Sequence, residues 1–295
     1  MANLKDIRIR INSVRTTRQV TSAMKMVSAA KFKKAQYEVE YVRPFVGKLL
    51  QMVNFLGNSI DSIQQRFAGF RISQKGKVLV VPIASNKGLA GAFNSNVNKE
   101  AERLLRTDLA ADFAAGNVDF LPVGKQVSKY LIAQKYNVVA NCNDLLDNLT
   151  TVGIAQAADL LMQKFLHEGY RQIILIYNKF VNAAVQNVTT EQLLPLEVKP
   201  VDTEVKGRFL DFIIEPNRDE VLEALVPQAV NAKFQAAMKE SAASEHGARM
   251  TSMHKATDNA TELLGELQLQ YNKARQGAIT GELIEIVSGA EALNN

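Results

Sequence analysis

FKKAQYEVEYVRPFVGKLLQMVNFL, residues 32–56, sets Phe32, Ala35, Val39, Val42, Val46, Leu49, Val53 and Leu56 on alternating three- and four-residue steps. An average period of about 3.5 residues is the seam of a coiled coil, not the face of a globular helix. Read towards the N-terminus, the same register meets Leu4, Ile7, Ile11 and Val14. The first 56 or so residues are therefore expected to form one long helix, about 80 Å at about 1.5 Å per residue. Two features interrupt it. Pro44 is expected to kink or break the helix, because it lacks an N–H and crowds the preceding turn. Between the apolar stretches the register positions become Arg18, Thr21, Lys25 and Ser28, so the seam is expected to fail there.

The helical period returns near the C-terminus. Apolar or small residues recur at Met253, Ala256, Ala260, Leu263, Leu267, Ala274 and Ile279, on three-, four- or seven-residue steps as far as Ala274. Pro227 suits a first helical turn, so a helix is expected from there to about residue 290, a rod of about 90 Å. EPNRDEVLEALV (215–226) reads as a short lead-in helix.

Between the two ends the pattern changes. KVLVVPI (77–83), NVDFLPV (117–123), the weaker NVVAN (137–141) and RQIILIYNKF (171–180) read as buried strands. Helical stretches at 94–106, 125–135 and 152–167 separate them, which predicts βαβ units and a mostly parallel sheet. The run 184–196 is expected to return as an antiparallel edge strand. The fold class is α/β: a long antiparallel coiled coil of N- and C-terminal helices with an inserted Rossmann-like α/β domain. The expected divisions are 1–60, 61–214 and 215–295. Such a rod is too long for the inserted domain to cover, so much of its surface must be bare or lie inside something else.

Composition narrows the classes. With 47% hydrophobic and 22% charged residues, the 295-residue chain is neither disordered nor collagen-like. No apolar run reaches the roughly 18–20 residues that span a bilayer. MANLKDIRIRINSV carries charge throughout and is not read as a secretory signal. A single cysteine, Cys142, leaves no internal disulfide and no cysteine metal cage. It fits a reducing compartment.

The net charge of +5 is unevenly spread. Residues 1–34 hold nine basic residues and one acidic, a net +8 that leaves −3 for the other 261. This stretch is open to three readings: a solvated face, nucleic acid, or an acidic protein partner. It has no aromatic residue before Phe32 and no accompanying nucleic-acid fold. Within it, VTSAMKMVSAAKFKKAQ (20–36) offers small residues for close approach and adaptable methionines, Met24 and Met26.

SNKGLAGAFN (85–94) follows a strand and opens a helix, where a phosphate loop would sit. It lacks both glycine fingerprints of nucleotide loops. Gly88 and Gly91 are expected to shape a tight turn instead. His246 and His254 are eight residues apart, too far for a helical metal pair. There is no nucleophile elbow, and Asp144 and Asp147 read as loop or cap residues. No catalytic, metal-binding or cofactor-binding constellation is expected.

Together, VTSAMKMVSAAKFKKAQ, SNKGLAGAFN, LDFIIEP (210–216) and SEHGARMTSMHKATDNATELLGELQLQYNKARQGAITGELIEIVSGA (244–290) resemble the gamma subunits of F-type ATP synthases, in the same order and over essentially the whole chain. The resemblance implies a non-catalytic rotating shaft. Its coiled coil would stand in the α3β3 hexamer of α and β subunits. Its α/β domain would rest on the c-ring of Fo beside the epsilon subunit, and ATP chemistry would take place on the β subunits. It implies no cofactor, no nucleic acid, and membrane contact only through the c-ring. By position, Met24, Lys25 and Met26 match the segment that slides past the β-subunit lever, with Lys31, Lys33 and Lys34 extending its basic face. Arg275, Gln276, Thr280 and Glu282 match the polar cluster that meets the β catch loop. Phe212, Ile214 and Glu215 match the foot on the rotor ring. Gly277 and Gly281 depart from the family's usual residues and are expected to loosen the helix. The single cysteine excludes the paired-thiol switch of chloroplast forms. The expected location is the cytoplasmic face of a bacterial plasma membrane.

Overall fold

A capped helix start explains the first difference from the sequence expectation. In the computed structural model, which describes residues 4–58, 68–70, 76–147, 149–197 and 213–294, the C-terminal helix begins at Arg218. The Asn217 Oδ1 accepts from the Glu220 backbone N–H at 2.9 Å, and its Nδ2 donates to the Glu220 carboxylate at 2.6 Å. This Asn-x-x-Glu cap, with Asp219 and Glu220 in the first turn, starts the helix nine residues before Pro227. There is no separate lead-in helix. Pro227 lies inside an uninterrupted 77-residue helix, Arg218–Asn294. The N-terminal helix, α1 (Leu4–Gly57, 54 residues), likewise runs through Pro44 without a break. Both prolines are exposed, so the carbonyl each leaves unpaired lies on the solvent side.

The remaining elements, in chain order, are β1 (Lys77–Pro82), α2 (Phe93–Arg106), α3 (Ala110–Ala114), β2 (Val118–Phe120), α4 (Lys125–Ala133), α5 (Thr151–His167), β3 (Tyr170–Phe180) and β4 (Gln186–Leu194), followed by the C-terminal helix as α6. The chain divides into two compact units: Ala29–Arg249, and Met1–Ser28 together with Met250–Asn295.

The larger unit holds a four-stranded sheet in the order β2-β1-β3-β4. β1 is parallel to β2 and β3, and β4 is antiparallel to β3, as the run 184–196 predicts. Alternation along each strand builds two cores. Leu79, Val81, Ile173, Leu175 and Tyr177 face one core, filled by Val42, Val46, Leu49 and Val53 of α1, by α5, and by Leu222, Val226, Val230 and Phe234 of α6. Val78, Val80, Ile174 and Ile176 face the other, filled by α2 and α4. Burial on both faces explains why β1 and β3 read as continuous apolar runs.

The expected strand NVVAN is reduced to one bridge, Val138 to Phe120. It has two β-branched residues between asparagines and lies beside β2 with no further strand partner among the described residues. Pro122 cannot donate to a ladder, which fits the end of β2 at Phe120. The sheet register is held by a buried charge. Asp119 on β2 accepts from Asn137 Nδ2 at 2.6 Å, Tyr170 OH at 2.8 Å and Lys77 Nζ at 3.0 Å. Burial alone would raise its pKa, but these donors together hold the carboxyl below the usual range.

In the smaller unit α1 and α6 run antiparallel. Ile7 and Ile11 pack with Leu264 and Leu267, Arg8 Nη2 donates to Tyr271 OH at 2.7 Å, and Thr257 Oγ1 lies 2.9 Å from Thr21 Oγ1. The register does not fail between the apolar stretches of α1. Its positions stay partly or fully buried through Arg18, Thr21, Lys25 and Ser28; only the chemistry turns polar. Ile279, five residues past Ala274 and so off the three-four step, is 49% exposed.

Candidate functional site

Three surfaces carry the residues picked out in the sequence, and each sits where the local fold leaves a helix face or loop open. On α1 in the smaller unit, Met24 and Lys25 are half-buried while Met26, 66% exposed, points outward beside exposed Val27 and Val20. Arg18, Gln19, Ser22, Ala23 and Met26 line a shallow groove with Thr257 and Thr261. Small side chains open that groove, and its walls mix hydroxyls, an amide and a guanidinium. In the larger unit Lys31, Lys33 and Lys34 are all exposed on α1.

The end of α6 is the second surface. Arg275, Gln276, Thr280 and Glu282 are all exposed. Gln276 and Thr280 are one turn apart and Arg275 and Glu282 two turns apart, so each pair shares a face. Gly277 and Gly281 do not interrupt the helix, and nothing lies within 4 Å of where a side chain would start on either. The exposed apolar residues Ile279, Leu283, Ile284, Ile286 and Val287 surround the polar four.

The third surface follows the long central insertion. Ile214 is half-buried against the main core, while Ile213 and Glu215 are exposed. Together with Met52, Phe55, Leu56 and Val221 they line an apolar cleft. Phe212 lies outside the described residues.

The Gly-rich string is tied down from within the chain. Ser85 N and Oγ both bond Asn94 Oδ1, at 3.0 and 2.9 Å. Arg249 of α6 donates to the carbonyls of Lys87 and Gly88 at 3.1 and 3.4 Å. Gly91 takes a left-handed conformation, as the turn expectation requires, but its counterpart is Leu89 rather than Gly88. A leucine at φ 62 is strained, and this one is exposed.

Reading the sequence also missed a polar seam between α6 and the rest of the larger unit. Arg43 on α1 pairs with the buried Glu240 at 2.9 Å and also reaches the Phe180 carbonyl. Further along α6, His246 has a buried Nδ1 without a hydrogen-bond partner. Burial first, then the charges of Arg249 and Lys31, pushes its pKa down to about 4. The SEHGAR string (244–249) held the only available signal, polar residues among small ones on a face that should be apolar. Among the described residues no group of three or more histidine, cysteine or acidic side chains is placed to hold a metal.

Residues 3–293 match the ATP synthase family. The chain is 49% identical to the ATP synthase gamma chain of Flavobacterium johnsoniae and 46% identical to that of Christiangramia forsetii, each over the full length of both chains. Among solved structures it resembles a chain of the central stalk and c-ring of the Tetrahymena thermophila mitochondrial ATP synthase, with 26% identity and a TM-score of 0.57 over 80% of this chain and 99% of that one. A chain of the Euglena gracilis mitochondrial enzyme shares the fold at 18% identity and a TM-score of 0.67, over 98% of this chain and 94% of that one.

Proposed function

This chain belongs to the ATP synthase gamma-chain family, and from that membership we propose how its three surfaces divide the work of a rotary shaft. It is the central shaft of an F1Fo ATP synthase, a subunit of the complex and not its catalytic one. Rotor-ring rotation is coupled through it to conformational cycling of the β-subunit sites. An asymmetric shaft does this by contacting the three sites differently, which shifts populations of states already available to them.

In our reading, residues 1–60 and 215–295 form the shaft and 61–214 the body that rests on the c-ring with the epsilon subunit. Met24, Lys25 and Met26 bear on the β-subunit lever, and Lys31, Lys33 and Lys34 meet its acidic residues. Arg275, Gln276, Thr280 and Glu282 hydrogen-bond the β catch loop. Phe212, Ile214 and Glu215 are the foot. The observation that carries this is the end of α6. There Leu283, Ile284, Ile286 and Val287 are exposed on a helix long past its own core, and an apolar patch of this kind marks an interface with another protein. The α3β3 hexamer supplies that socket. No described helix is long and apolar enough to cross a membrane; the complex is membrane-associated, and we assign this chain to its cytoplasmic face in a bacterium, touching the membrane only through the c-ring.

The test is reconstitution. The purified chain alone should hydrolyse no ATP and should restore rotation to α3β3. Replacing Lys31, Lys33 and Lys34 together by Glu should weaken assembly or coupled activity, because a like-charge contact with the lever results. Single replacements should do little, since exposed pairs are worth about 0–1 kcal/mol. Unchanged coupled activity in the triple variant would remove these lysines from the lever contact.

A further inference from the structure

Helix α6 changes its mode of attachment along the larger unit. From Leu222 to Met238 it is held by large apolar side chains buried in the main core. From Ser241 to Ala248 the buried residues are Ser241, Ala243, Ser244, Gly247 and Ala248. A face this smooth has few knobs to fill holes, and apolar contact has no preferred direction. Such a face resists lifting off but offers little resistance to turning about the helix axis.

Directed bonds begin within the apolar stretch, at Lys233, and continue where the knobs run out. Ser244 Oγ donates to the Asn178 carbonyl at 2.9 Å, with both residues buried on α6 and β3. Glu240, 7% exposed, takes the Arg43 Nε at 2.9 Å, and the same guanidinium donates through Nη2 to the Phe180 carbonyl. Three elements, α1, β3 and α6, therefore meet on one side chain. Lys233 pairs with Glu191 of β4 at 3.1 Å and donates to the Gln192 carbonyl. Arg249 closes the series on the Lys87 and Gly88 carbonyls. Most of the acceptors are backbone carbonyls of the sheet or its loops, which cannot swing away as a side chain can. Gly247 adds a steric key. A side chain there would lie 3.2 Å from both the Ala183 carbonyl and the Phe32 ring.

We propose that Arg43, Glu240 and Ser244 are positioning residues that lock the rotational phase of α6 on the α/β body, so that torque passes between them without slip. The inference rests on the shaft reading. In that setting the apolar seat bears load across the helix, and the polar series bears load around it. Loss of a directed bond lowers the barrier to turning, and one hydrogen bond of ordinary net strength corresponds to about a fivefold faster slip.

The test uses the complete F1Fo complex in liposomes. ATP hydrolysis and ATP-driven ion pumping are measured together, with a pH-sensitive dye and with radioactive sodium, while an opposing gradient builds. The variants are Ser244→Ala, the pair Arg43→Met with Glu240→Leu, and all three together. The paired change leaves no buried charge alone and keeps the seat filled. Hydrolysis should persist while ions pumped per ATP fall, most in the triple variant and most against a steep gradient. A merely structural role would lower hydrolysis and pumping in proportion. A ratio in the triple variant equal to that of the unaltered complex would overturn the proposal. If the triple variant does not assemble, Arg43→Lys decides. It retains the Glu240 pair but loses the fork to the Phe180 carbonyl, so an intermediate ratio supports the lock and an unchanged ratio overturns it. Failure of the unaltered chain to pump at all would instead refute the shaft reading.

Discussion

Phe234 and Ile286 are both large apolar residues on α6, yet Phe234 is 1% exposed and Ile286 67%. The helix is continuous between them, so local conformation does not separate their fates. What differs is the presence of a seat. Around Phe234 the chain supplies its own, from the sheet, α1 and α5. Around Ile286 it supplies none among the described residues. The lesson is that an amphipathic stretch declares a need for cover without saying who provides it. In the function proposed above, the cover for the second stretch is another subunit.

The sharpest way to break the comparison is to truncate each residue in turn. Phe234→Ala should cost about 3–5 kcal/mol of the chain's own stability, read as a lower urea midpoint. Ile286→Ala should stay within about 0.5 kcal/mol and show its effect only as weaker association with α3β3. Equal effects on the free chain would mean that the end of α6 has a seat in its own chain after all.

A pH series sharpens the comparison on the buried side. His246 titrates at about 4 in the fold and at about 6.5 when unfolded. Between those values the unfolded chain binds more protons, so stability falls as pH drops through that window. Nearby Glu245, whose carboxyl burial raises, contributes the opposite slope. The readout is therefore the difference between His246→Leu and the parent protein. The variant should lose less stability from pH 7 to about pH 4, measured as urea midpoints. Parallel curves would show that His246 is solvated.

A small effect is expected where α1 and α6 pair near the exposed end. Arg8 donates to Tyr271 OH and lies 5.7 Å from its ring centroid. Arg8→Ala should cost about 0.5–1 kcal/mol, as for exposed cation–aromatic contacts, seen as a slight drop in thermal midpoint.

Much of this fold was legible because periodicity reports burial directly. The 3-4 spacing of α1 picked out Val39, Val42, Val46, Leu49, Val53 and Leu56, and all six are buried. The run KVLVVPI gave β1 almost to the residue. Errors arose where one local signal competed with another. Pro227 is a plausible start, but Asn217 and Glu220 make a better one. Ile279 is apolar and extends the stripe, but it lies five residues past Ala274, off the seam step, and is exposed. The polar Thr21 reads as a failed register because spacing alone does not reveal that its hydroxyl meets Thr257 across the interface. Arg43, Glu240, Ser244 and Arg249 were invisible for the same reason. Their partners are up to 197 residues away or are backbone carbonyls, which have no letter in a sequence.

The sequence by itself determined the two terminal helices, the βαβ pattern between them and the uneven charge, because each follows from side-chain chemistry repeated at short range. Only the tertiary structure decided which stretch of α6 is seated and which is bare, and that the seated stretch passes from apolar packing to directed bonds. Those outcomes depend on what long-range folding brings opposite a residue, and a hydrogen bond or an apolar contact exists only when its second half has arrived.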